Sequence, residues 1–204
     1  MPPSFSTIRV RNRRVSSLQS TISGSGSAKP LSLVSSPWCN VAPYNFSEFE
    51  LISEGDKVPS FSLPADDGTT VTRESLAGNN VVLFFYPKDN TPGCTKEACD
   101  FRDAFPRFGE TNAVVLGVSP DSLESHRKFK KKQDLPYRLL SDERHHLADA
   151  FGVWKQKSMY GLKFMGIERT TVIIDRKGRV ARIFPKVKVP GHVQEVEKAI
   201  RALE

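Results

Sequence analysis

The stretch Val81-Val82-Leu83-Phe84-Phe85-Tyr86-Pro87-Lys88-Asp89-Asn90-Thr91-Pro92-Gly93-Cys94-Thr95-Lys96-Glu97-Ala98-Cys99 decides how the chain folds. Its first six residues are an unbroken β-branched and aromatic run, the pattern of a strand buried on both faces. Pro87 ends that run, and from Thr91 to Phe108 the sequence reads as a helix. Thr91 is a candidate N-cap. Pro92 suits the first helical position, where its missing N–H is one of the unpaired donors in any case.

Working outward, Ala113–Val118 reads as a second buried strand. Asp121–Gln133 reads as a helix in which Leu123, His126 or Arg127, and Phe129 share a face. Lys130, Lys131 and Lys132 stand near its C-terminus, where the helix dipole favours cations. Arg138–Leu140 is a short strand and His145–Phe151 a short helix. Thr170–Asp175 and Arg179–Phe184 flank Arg176-Lys177-Gly178, a hairpin signal, and Gln194–Leu203 closes the chain as an amphipathic helix. Upstream, Leu51–Leu63 is a lead-in, and Asp66-Asp67-Gly68 marks a turn before Thr69–Thr72. Strands alternating with helices and finishing in a hairpin and a helix predict a three-layer α/β sandwich with a mixed central sheet.

The chain has 204 residues, 38% hydrophobic and 26% charged, which suits one globular domain of about 150 residues plus an extension. The longest all-apolar run is too short for a transmembrane helix, and three cysteines cannot build a disulfide-rich scaffold. The formal net charge of +7 is unevenly placed. Residues 1–47 hold 12 Ser, 2 Thr and five basic residues (Arg9, Arg11, Arg13, Arg14, Lys29) with no Asp or Glu. From Glu48 onward there are 25 basic and 23 acidic residues. A Ser-rich, Arg-bearing, acid-free start reads as an organellar transit peptide over 1–47, before a folded domain over 48–204. The hydroxyl content favours a plastid. A retained basic tail that binds nucleic acid is the alternative.

The chemistry lies between Pro87 and Cys99. Cys94 falls in the first turn of a helix, where unpaired N–H groups and the positive dipole end favour a thiolate, the nucleophilic form. Thr91 is placed to bring its hydroxyl beside the sulfur or a substrate oxygen, and Gly93 leaves room for a small molecule. Cys99 lies five residues on. In a regular helix the two Cα atoms are roughly 8–9 Å apart, beyond disulfide reach, so the pair bonds only if the helix unwinds. Taken alone, Cys99 also reads as a buried core residue. His126, His145, His146 and His192 show no ligand spacing with these cysteines, so no metal is expected, and no Cys-x-x-Cys is present.

Pro87-x-x-x-Thr91-x-x-Cys94 resembles the peroxidatic signature of the peroxiredoxin family. With Thr95, Lys96 and Cys99, the string is similar to the bacterioferritin-comigratory or Q subfamily. The likeness continues through Ser119-Pro120-Asp121-Ser122, Ser125-His126, Phe129 and Gly166-Ile167-Glu168-Arg169-Thr170-Thr171, and spans about Gly55 to the C-terminus. A plastid leader on such a core matches the plant members of that subfamily.

The resemblance implies a thioredoxin-like fold and reduction of hydrogen peroxide and organic hydroperoxides without a cofactor. It implies Cys94 as the peroxidatic cysteine, passing through a sulfenic acid, and Cys99 as the resolving one, with a Cys94–Cys99 disulfide recycled by thioredoxin. Arg169 matches the family's active-site arginine, Thr91 its hydroxyl donor and Pro87 its shielding proline; Gly93, Thr91 and Arg169 would contact substrate. A monomer is expected, since both cysteines lie in one chain, in the stroma or at the thylakoid, with the lumen as another destination. Trp154 and Met165 read equally as an apolar rim for lipid hydroperoxides or thioredoxin and as plain surface packing, and Lys128–Lys132 reads as a solvated helix face. A disulfide sensor or carrier using the same cysteine pair is one rival; a nucleic-acid-binding protein driven by the basic leader is a second, from a different class.

Overall fold

The computed structural model describes residues 52–159 and 161–203. The expected leader, 1–47, with Cys39, lies outside the described residues. The order is β1 (Ser62–Pro64), β2 (Thr70–Thr72), a 3-10 turn at Glu74–Leu76, β3 (Asn80–Phe85), α1 (Pro92–Glu110), β4 (Ala113–Ser119), α2 (Leu123–Gln133), β5 (Arg138–Ser141), α3 (His146–Ala150), β6 (Trp154–Met159), β7 (Leu162–Ile167), β8 (Thr170–Ile174), β9 (Val180–Phe184) and α4 (His192–Arg201).

The central sheet runs β5-β4-β3-β8-β9. β3 is parallel to β4, and β4 to β5, while β8 is antiparallel to both β3 and β9, the mixed sheet the sequence predicts. Every residue of β3 is buried. Alternation then divides the run between two cores. Val81, Leu83 and Phe85 pack with Leu116, Val118, Leu140, Leu147, Phe151 and Val172 on one face. Val82, Phe84 and Tyr86 pack with Cys94, Ala98, Phe101, Phe108, Val193, Val196 and Ile200 on the other, under α1 and α4. The two flanking layers are unequal: the first face is covered by the N-terminal strands and short α3. Gly117 of β4 makes this packing possible, because a Cβ there would lie 2.8 Å from both Leu139 Cδ2 and Phe84 Cζ.

Several boundaries move. α2 begins at Leu123, not Asp121, because Ser122 takes the cap and its side chain accepts the N–H of Ser125. His126 and Phe129 are its buried residues; Arg127 points out and donates to the Asp66 carbonyl. Thr91 is the N-cap of α1 by backbone conformation, yet its side chain makes no capping bond. The β6–β7 hairpin is absent from the sequence reading. It pairs Trp154 with Ile167 through to Met159 with Leu162. It carries little sequence signal because it buries little: Leu162 is 75% exposed, and Phe164 and Met165 are also exposed.

Candidate active site

The end of β3, the loop to α1 and the start of β8 meet at Cys94. α1 starts at Pro92 after the extended backbone of Thr91, and the Thr95 N–H donates to the Thr91 carbonyl at 2.8 Å to close its first turn. Cys94 is therefore the third residue of a helix of nineteen, within reach of the dipole's positive end. It is buried in the face that holds Tyr86, Ala98 and Phe101.

Arg169, immediately before β8, reaches this sulfur. Its Nη2 donates to Cys94 Sγ at 3.2 Å, and its Nη1 pairs with Oε2 of Glu97, one turn further along α1. Its own carbonyl accepts the Val187 N–H at 2.9 Å, which anchors the backbone behind the guanidinium. Glu97 is 1% exposed, and its Oε1 has no hydrogen-bond partner. Burial pushes its carboxyl up to about 7 against the pull of Arg169. Lys157 of β6 adds a second cation to the site: burial, and then Arg169, hold its amino group below the usual lysine range, and it donates to the Ile167 carbonyl.

The structure brings Cys94, Arg169, Thr91 and Gly93 together and adds detail at two of them. The Thr91 hydroxyl donates to the Lys88 carbonyl at 3.1 Å instead of pointing its proton at the sulfur; its oxygen keeps acceptor capacity. The space over Gly93 is taken by Arg169, whose Nη2 would lie 3.3 Å from a Cβ at that position. Gly93 thus makes room for the guanidinium. Pro87 is half-buried directly after β3. Cys99 sits on the same regular helix, with Sγ 3.7 Å from Gln133 Oε1, and both cysteines are free thiols.

Trp154, a rim candidate, packs inward in part. It is partly buried against the core, and its ring stacks on His145 at 3.7 Å. Met165 does stand exposed on β7. In the basic cluster, Lys128 pairs with Glu124 and Lys130 with Asp66, so part of that charge is already spent on structure. Among the described residues no three His, Cys, Asp or Glu side chains gather as metal ligands would, and no helix is long and apolar enough to cross a membrane. Sequence reasoning missed Glu97 and Lys157. Glu97 carried one usable sign, its place three residues after Cys94 on the same helix face.

Residues 54–183 match the AhpC/TSA family. The chain is 51% identical over 150 residues to peroxiredoxin Bcp of Bacillus subtilis, covering 74% of this chain and 96% of that protein. It is 40% identical over 141 residues to peroxiredoxin Bcp of Escherichia coli, covering 69% and 90%. Among solved structures, a C47S mutant of Xylella fastidiosa PrxQ is similar with a TM-score of 0.70 at 39% identity, over 74% of this chain and 96% of that one. The Xanthomonas campestris bacterioferritin comigratory protein, solved in trapped-intermediate and ligand complexes bearing on its alkyl peroxide reduction activity, is similar with a TM-score of 0.67 at 43% identity, over 70% and 90%.

Proposed function

The chain belongs to the AhpC/TSA family, among its Bcp/PrxQ peroxiredoxins, and on that premise we propose that it is a two-cysteine peroxidase that reduces hydrogen peroxide and organic hydroperoxides. The observation that carries the reading is the Arg169 guanidinium at 3.2 Å from the sulfur of a cysteine in the first turn of a helix.

Cys94 acts as thiolate. Its lone pair takes the terminal oxygen of the hydroperoxide as the O–O bond breaks, and the leaving oxygen departs with a proton as alcohol or water. Charge developing on that oxygen is met by Arg169 and first-turn N–H groups, donors that need no reorganisation during the reaction. Cys94 becomes a sulfenic acid. α1 then unwinds between the two cysteines, the Cys99 thiol attacks, and a Cys94–Cys99 disulfide forms with loss of water. A thioredoxin dithiol reduces it by exchange and is itself oxidised. With both cysteines in one chain, the cycle needs no second subunit, which supports a monomer. The acid-free, Ser-rich leader supports a plastid address.

The test is thioredoxin-coupled consumption of hydrogen peroxide and an alkyl hydroperoxide by the full chain, beside Cys94→Ser and Cys99→Ser. Turnover lost in the first, with poor turnover and an accumulating sulfenic or sulfinic form in the second, is expected. Full turnover without Cys94 would overturn the reading. Absent peroxide turnover with rapid thiol exchange would favour a disulfide sensor.

A further inference from the structure

The loop from Pro87 to Thr91 joins β3 to α1 and sets where Cys94 sits. Its middle residue, Asp89, is 4% exposed, although Lys88 and Asn90 on either side are exposed. Asp89 Oδ1 accepts the Tyr86 hydroxyl at 2.8 Å. Its Oδ2 accepts Ser125 Oγ at 2.7 Å and faces His126 Nδ1 at 2.9 Å. The Asp89 N–H donates to Asp121 Oδ2 at 2.7 Å, and that oxygen also accepts Ser119 Oγ at 2.8 Å. His126 is wholly buried, with Nε2 3.2 Å from the Leu140 carbonyl. One loop residue is thus tied to the ends of β3 and β4, to α2, and through the imidazole to β5.

Local chemistry already supplies a turn here: Asn90 takes a left-handed φ of 57°, and the Thr91 hydroxyl bonds back to Lys88. A buried polar pair seldom adds net stability over an apolar replacement of the same shape. What it adds is direction, because satisfied hydrogen bonds specify one arrangement. That arrangement passes straight into the site. Thr91 lies two residues beyond Asp89, its carbonyl accepts the first helical N–H of α1, and Cys94 follows. Arg169, just before β8, arrives on a separate anchor, its carbonyl accepting the Val187 N–H. The Arg169–Cys94 distance is therefore set on the cysteine's side by where Asp89 is held.

We infer that Asp89 and His126 are positioning residues for the peroxide step, holding the Pro87–Thr91 loop so that Thr91 and Cys94 meet Arg169 and substrate in register. This rests on the peroxidase reading above. Neither residue touches the sulfur or the substrate.

The test is single-turnover oxidation of the reduced full chain by hydrogen peroxide, followed by stopped-flow tryptophan fluorescence, so that sulfenic acid formation and disulfide formation are read as separate phases. Tyr86→Phe and Ser125→Ala each remove one hydroxyl from Asp89 without adding bulk, and should slow the first phase about 3–10-fold. Asp89→Ala should slow it on the order of 100-fold, the scale of a 1 Å misplacement, with partial rescue in Asp89→Asn. The disulfide phase should keep its rate constant throughout. A purely structural pair predicts lower melting temperatures with unchanged first-phase rate constants, and that result overturns the inference. Should Asp89→Ala fail to fold, Tyr86→Phe and Ser125→Ala decide alone. A wild-type chain that peroxide does not oxidise at all would instead sink the peroxidase reading, and this inference with it.

Discussion

Arg169 and Cys94 are separated by 75 residues of sequence and by 3.2 Å in the fold. One arm of the guanidinium donates to the sulfur and the other pairs with Glu97, so a single planar fork links nucleophile and counter-charge. The fork is the part a lysine cannot reproduce.

Arg169→Lys should therefore lower the peroxide rate constant by about 10²–10³, the usual cost of losing a placed donor at a developing charge, with the fold retained. Arg169→Ala at pH 8 should also destabilise by about 1–2 kcal/mol, because without the guanidinium the Glu97 carboxyl, already pushed up to about 7, must take a proton to stay buried. Adding Glu97→Gln to Arg169→Ala should recover stability and leave activity lost. Denaturant melts and stopped-flow traces on the three variants check both halves.

Two buried groups tilt the pH dependence of stability in opposite directions. Glu97 titrates at about 7 in the folded chain against 4.5 when free. The folded state thus binds this proton more tightly, and its contribution is whole below about pH 4.5 and gone above about pH 7. His192, bonded to Thr171 Oγ1 at 2.7 Å, is pushed down by burial and then by Arg169 from 6.5 to about 4. The folded state disfavours that proton, so its contribution is whole above pH 6.5 and lost as pH falls to about 4. Between pH 4.5 and 6.5 the slopes oppose. Glu97→Gln should uncover a steeper rise of stability with pH in denaturant melts across that window; an unchanged profile would place Glu97's proton elsewhere.

Gly93→Ala should separate stability from activity. Alanine favours an exposed helical position by roughly 0.5–1 kcal/mol over glycine, so the melting temperature should hold or rise. Its Cβ would crowd Arg169 Nη2 at 3.3 Å, and a displaced guanidinium should slow sulfenic acid formation about tenfold. Calorimetry and a peroxide rate constant on one preparation suffice.

Tyr137 holds α1 near the second cysteine. Its hydroxyl donates to the Ala98 carbonyl at 2.7 Å in a buried setting. Unwinding α1 between Cys94 and Cys99 works against that bond. Tyr137→Phe should lower global stability by about 1 kcal/mol and speed disulfide formation about fivefold, the yield of one net hydrogen bond. The peroxide phase should stay unchanged. Slower disulfide formation would show that the bond holds Cys99 in place for attack.

Elements whose information is local were readable from the chain. Val81–Tyr86 is a strand because six apolar side chains in a row have nowhere to go but two buried faces. α1 begins where it does because Thr91 and Pro92 suit its first positions. The β6–β7 hairpin was not readable, since Lys155, Lys157 and Lys163 interrupt a pair of strands with largely exposed faces, and periodicity reports burial rather than pairing.

The site divides along the same line. The cysteine's place at a helix start belongs to its own neighbours in sequence. The burial of Glu97, which in Lys96-Glu97-Ala98 looks like any solvated helix residue, follows from an arginine 72 residues away. The bond between Asp89 and His126 spans 37 residues and joins an acid to which the sequence assigned no role to a residue that read as one side of a helix. Both contacts exist because β3 lies between β4 and β8 in the sheet, which carries α2 and Arg169 to opposite sides of one loop. Strand order is a property of the whole packed core. Charges and hydrogen bonds acquire their partners, and their altered proton affinities, only once that order has closed water out.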